Sequence, residues 1–126
     1  MLRYYLSPIF WALIILFLSS IPSKELPDFS FWKFFSFDKM VHVAMYALLT
    51  FQVMKSCVRQ YANWTIRYNA ARIAVVSCII YGGLIELLQE YVLLDRHGDW
   101  MDLLANSVGT FLGIWLFKKL FILYIR

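Results

Sequence analysis

Four apolar runs, at roughly 4–21, 39–57, 70–91 and 103–123, constrain this chain more than anything else in it. Each is close to the ~20 residues that an α-helix needs to cross about 30 Å of hydrocarbon. No water is present in the bilayer core to satisfy open backbone N–H and C=O groups, so segments of this length and apolarity read as helices. The expected fold is all-α: a membrane bundle of four transmembrane helices forming one domain over 1–126. Composition agrees, because 62% of the residues are hydrophobic and 16% are charged, against roughly 45–50% apolar in a soluble domain. That excess has to face acyl chains.

The net charge of +4 invites a nucleic-acid reading, which its distribution opposes. All eight acids fall in 25–38 and 86–102, whereas Arg3, Lys55, Arg59, Arg67, Arg72, Lys118, Lys119 and Arg126 occupy stretches free of acids. Short positively charged segments stay in the cytoplasm. Both termini and the basic connection 58–69 are therefore expected there, with the aromatic, proline-bearing connection 22–38 and the acidic connection 92–102 on the outer side. The bilayer is the expected partner and nucleic acid is not. The alternative for the first run, a signal peptide starting at Arg3, is disfavoured by its length, its bulky aromatics and the lack of an A-x-A-like site. Cys57 and Cys78 lie in apolar helical stretches with no disulfide or metal spacing, and read as small buried hydrophobes. No metal and no cofactor is expected. Tyr4, Trp11, Trp64 and Tyr124 read as interfacial anchors.

An ionisable residue at the centre of a spanning helix costs about 2.5–3.5 kcal/mol on insertion scales, so those present need a reason. On the second run Asp38, His42 and Tyr46 are spaced i, i+4, i+8 and share one face, with Lys39 beside them. Gly82, Glu86 and Gln89 or Glu90 form a comparable face on the third run. Asp99, Asp102, Asn106, Gly109 and Gly113 form a stripe on the fourth. At 1.5 Å per residue, His42, Glu86 and Asn106 lie roughly 5–10 Å below the outer helix ends. The cytoplasmic halves are expected to hold almost no polar residues. A shared pocket open to the outer surface follows, lined by Asp38, Lys39, His42, Tyr46, Glu86, Gln89, Arg96, Asp102 and Asn106. Gly109-x-x-x-Gly113, preceded by Ala105, reads as a close helix-packing face, and Gly82 as a close approach or a kink.

These residues resemble a known family. DKMVHVAMYALLTF (38–51), GGLIELLQEY (82–91) and RHGDWMDLLANSVGTFLG (96–113) are similar to the VanZ-like family of small bacterial membrane proteins. Its pattern reads approximately as D-K-x-x-H-x-x-x-Y, G-x-x-x-E-x-x-Q and R-x5-D-x3-N-x2-G-x3-G, and the motif-bearing core is 38–113. The chain departs from it at Thr50, where members often have Gly, and at Leu93–Leu94, where a Pro often precedes the Arg. The resemblance implies a multi-pass protein of the bacterial inner membrane, in a family whose founding member is linked to resistance to the lipid-tailed glycopeptide teicoplanin.

The leading functional expectation is that the pocket binds or handles the head group of a cell-envelope amphiphile, an envelope lipid or lipid-linked precursor. Lys39 and Arg96 would hold phosphate or carboxylate, and Glu86, Asp102 and Asn106 sugar or amide groups. Competing readings are an embedded enzyme using His42, Glu86 and Asp102 as acid/base groups or metal ligands, a proton pathway, and a structural or partner-docking bundle. The absence of an H-E-x-x-H or similar motif leans against an enzyme.

Overall fold

The computed structural model describes residues 2–19, 37–60, 63–91 and 100–125, the side chains of 37–39, 100 and 122–125 excepted. The connection 22–36 and most of 92–102, including Arg96 and Asp99, lie outside the described residues. A 3₁₀ turn at Leu2–Tyr5 leads into α1 (Leu6–Ser19), followed by α2 (Phe37–Arg59), the short α3 (Trp64–Tyr68), α4 (Ala70–Tyr91) and α5 (Trp100–Ile125). Among the described residues there is no strand.

Three of these segments, Leu2–Ser19, Met40–Arg59 and Ala70–Tyr91, are long and apolar enough to cross a membrane. α5 has the length, at 26 residues, but Asp102, Asn106, Ser107, Thr110, Lys118 and Lys119 interrupt its apolar run. α3 departs from the loop expected over 58–69. The Asn63 side chain accepts hydrogen bonds from the Thr65 and Ile66 backbone N–H groups at 2.9 and 3.3 Å, satisfying donors that a helix start otherwise leaves open. Buried Gln60 locks the preceding turn, donating to the carbonyls of Cys57 and Asn63 at 3.0 and 2.8 Å and accepting from the Asn63 N–H at 3.0 Å.

Side-chain contacts fix the helix directions. Ser56 bonds to the Tyr4 carbonyl, Ser7 to Gln52 and Trp11 to the Met45 carbonyl, so α1 and α2 are antiparallel. Thr50 donates to Cys78 Sγ at 3.4 Å and Tyr46 abuts Gly82, so α4 also runs against α2. α5 runs parallel to α2, with Asn106 at His42, Gly109 on Val43 and Gly113 on Ala47. α2 is thus the central helix, touching each of the others.

The interior mixes apolar side chains with many polar ones, and the exterior is large and apolar. His42, Thr50, Ser56, Gln60, Gln89, Asp102, Asn106 and Thr110 are buried, whereas Phe10, Phe17, Ile80, Leu84, Val108 and Phe111 are exposed. Water would reverse that distribution, and hydrocarbon favours it, because lipid tails solvate large aliphatic groups while small residues let helices approach. The buried face of α4 shows the second half of this rule: Ala70, Ala74, Cys78 and Gly82 recur every four residues. Cys57 and Cys78 are both buried and free.

Trp11 joins α1 to α2. Its indole N–H donates to the Met45 carbonyl at 3.0 Å, since an indole partly withdrawn from water needs an acceptor. The Tyr81 hydroxyl of α4 donates to the carbonyl of the next residue, Ala12. These two bonds pin the middle of α1, and each is worth about 0.5–1.5 kcal/mol. The W11F/Y81F variant keeps both rings, so it is expected to lower stability against denaturing detergent by ~1–3 kcal/mol. A change that also abolished the α2–α5 contacts would show that α1 does more than dock on a preformed core.

Candidate functional site

α2 and α5 present their N-terminal turns at the same end of the bundle, which has an electrostatic consequence. Aligned peptide dipoles leave about half a positive charge at each helix N-terminus, so this end tolerates acids that hydrocarbon would otherwise reject. Asp102 lies in the first turn of α5 and is 8% exposed. One turn further, Asn106 is 1% exposed, and facing it on α2 is His42, 5% exposed. The Nδ1–H of His42 donates to Asn106 Oδ1 at 2.9 Å, and Nε2 stands 3.9 Å from Asp102 Oδ2. The i, i+4 pair on α5 therefore flanks the imidazole, with the amide hydrogen-bonded to Nδ1 and the carboxylate facing Nε2.

The next layer down is built on Gly82. A methyl group there would come within 3.1 Å of Asn106 Nδ2 and 3.4 Å of Tyr46 Cε1, so the missing side chain lets α4 close onto the amide and the phenol together. Tyr46 is 1% exposed. Neither its hydroxyl nor the Nδ2 of Asn106 has a hydrogen-bond partner, although both atoms are buried. Two enclosed donors without acceptors are costly, at about 1–3 kcal/mol each. Glu86, one turn beyond Gly82 on the same face, lies within electrostatic reach of Tyr46, and its Oε1 is buried.

The structure thus brings His42, Tyr46, Glu86, Asp102 and Asn106 to one end. Asp38 and Lys39 are in the first turn of α2, but their side chains, and the whole of Arg96, lie outside the described residues. Gln89 is buried, and its Nε2 donates to the Ser19 carbonyl at 3.0 Å, capping an acceptor that the C-terminus of α1 leaves open. Ala105, Gly109 and Gly113 continue the buried stripe of α5. Among the described residues no three His, Cys, Asp or Glu side chains gather as metal ligands do.

The expectation that the opposite halves hold almost no polar residues is incorrect. Thr50, Ser56 and Gln60 are buried there and Thr110 lies near the middle of α5, but they carry no charge and are satisfied close by. Ser56 donates to Gln52 and Tyr4 carbonyls, and Thr110 to the Asn106 carbonyl at 2.9 Å. A recurrence four residues after Asn106 was the available signal for Thr110. Thr50 replaces the family's common glycine without leaving its hydroxyl idle, since it bonds Cys78.

Fold and site together define a helical membrane protein in which a histidine, an aspartate and an asparagine are enclosed at one end of the bundle. The sequence profile of VanZ/LLP1 matches residues 4–124, nearly the whole chain, and the chain belongs to that family. No curated protein and no solved structure matches it.

Proposed function

We propose that this chain crosses the bacterial cytoplasmic membrane four times, with both termini in the cytoplasm, and that its outer end binds the polar head group of a cell-envelope amphiphile. The topology is supported by the alternating directions of the four long helices and by the gathering of acids at one end and cations at the other. The pair of enclosed donors without acceptors, Tyr46 Oη and Asn106 Nδ2, carries the binding reading. A native bundle rarely keeps such groups except for an unmet ligand or water. Donors beside a fixed His42 and a carboxylate suit a phosphate, amide or sugar oxygen of a head group. His42 then acts as a positioning residue, its Nδ1–H tied to Asn106 and its Nε2 facing Asp102.

Tyr46→Phe separates binding from architecture. It removes an oxygen that bonds nothing within the bundle, so a structural role predicts unchanged or improved stability and nothing else. The binding reading predicts that one amphiphile enriched in purified protein over bulk lipid, measured by lipid mass spectrometry, is lost from Tyr46→Phe while thermal stability holds. It also predicts that Tyr46→Phe and Glu86→Gln abolish any teicoplanin resistance the wild type confers. A normally folded Tyr46→Phe protein that retains the same lipid profile would sink the reading.

A further inference from the structure

The end of the bundle opposite His42 holds a second constellation. Lys55 and Arg59 stand one turn apart on α2, both exposed, and the sequence places no acid between 39 and 85 or beyond 102. Two cavities open on either side of this α2 ridge, and Phe51, Lys55 and Arg59 line both. One, of about 370 Å³, is completed by Arg3, Tyr4, Ser7 and Gln52. Arg3 is held over the Tyr4 ring, 5.0 Å from its centroid, and donates to the Tyr4 hydroxyl at 3.0 Å. The other cavity, of about 330 Å³, is walled by Phe117, Leu120 and Phe121 of α5.

We infer that this double cleft is a binding site for one anionic phospholipid of the cytoplasmic leaflet, with its phosphate held among Arg3, Lys55 and Arg59 and an acyl chain laid against Phe51, Phe117 and Phe121. Charge complementarity selects the occupant: three cations from two helical segments converge with no carboxylate among the described residues to neutralise them. Guanidinium forks match phosphate oxygens in shape as well as charge. The apolar wall selects a lipid over a free anion, because Phe51 and Phe117 meet edge to face at 5.5 Å and Phe117 stacks on Phe121 at 5.1 Å, making a continuous aromatic surface beside the cations. Basic clefts between membrane helices on the cytoplasmic side hold anionic head groups on the same principle. The inference rests on the topology proposed above and not on head-group binding near His42.

The test uses the full chain in nanodiscs of equal phosphatidylglycerol and phosphatidylcholine, released into native mass spectrometry. The wild type is expected to keep one phosphatidylglycerol, and K55Q/R59Q to lose retention on the order of tenfold. K55R/R59K, with charge preserved, should retain the lipid. K118Q/K119Q removes the same charge from exposed α5 positions outside both cavities and should retain it too. Equal loss in K118Q/K119Q would mean diffuse attraction to basic residues and overturn the site. So would equal retention of phosphatidylcholine, or thermal stabilisation by inorganic phosphate matching that by phosphatidylglycerol. Tyr46→Phe should leave this retention unchanged, so loss of the amphiphile at the outer end and loss of the phospholipid here are separate results.

Discussion

Gly109→Ala and Gly113→Ala are each expected to destabilise the bundle by ~2–3 kcal/mol in denaturing-detergent titrations, and the double variant to give no monodisperse species on size exclusion. A methyl group at Gly109 would clash with the Val43 carbonyl oxygen, and one at Gly113 with the Ala47 carbonyl oxygen, with Thr50 Cβ 2.8 Å away. Neither obstacle is the flexible end of a side chain. Both oxygens belong to helical backbone, so relief requires α2 and α5 to separate along their whole seam. Overpacking costs typically ~1–3 kcal/mol, and here it also stretches the His42–Asn106 bond, carried by the same two helices a turn away. Gly83 supplies the control, because nothing lies within 4 Å of its added methyl. Gly83→Ala should be neutral or stabilising by up to ~1 kcal/mol, the helix-propensity gain of alanine. Equal damage at Gly83 and Gly113 would mean that backbone flexibility, not close approach, accounts for the glycines.

The parts of this architecture that were legible in the sequence are those governed by periodicity. Apolar length located the four long helices, and α4 occupies the 70–91 expected of it. The i, i+4 spacing put His42 and Tyr46 on one face, and Asp102 and Asn106 on another. What spacing could not say is which face meets which. The parallel pairing of α2 with α5 depends on Gly109 and Gly113 admitting the α2 backbone, a three-dimensional fit in which two glycines select one partner helix. Gln89 shares a face with Gly82 and Glu86 by count, yet it serves the carboxyl end of α1, whose open carbonyl at Ser19 no pattern within α4 could announce. The acceptor of Trp11 likewise lies on another helix, beyond any pattern within α1. The one-turn α3 escaped because its formation rests on two side chains, Gln60 and Asn63, rather than on any repeating pattern.

A double-mutant cycle on His42 and Asn106 should expose the largest polar coupling in the bundle. Asn106→Leu is nearly isosteric, but it leaves the Nδ1–H of His42 without its acceptor at 2.9 Å, in a site where His42 is 5% exposed and water cannot substitute. Orphaning a buried donor costs about 1–3 kcal/mol. His42→Leu removes the donor and leaves Asn106 Oδ1 and Asp102 without it, at a similar cost. The double variant orphans neither partner of the lost bond, so it is expected to lose ~0.5–2 kcal/mol less than the sum of the singles. Interhelical hydrogen bonds in membranes average about 0.6 kcal/mol with a ceiling near 1.7. A coupling toward that ceiling is expected here because the imidazole is buried between Asn106 and Asp102 of α5. Strict additivity would mean that the imidazole is held by Asp102 and its packing alone, with the amide contact contributing nothing. Asp102→Asn separates those cases: it keeps the volume and removes the carboxylate facing Nε2, so it should lower the His42–Asn106 coupling if the ring is held as a unit by both α5 residues, and leave it unchanged if the two contacts act independently.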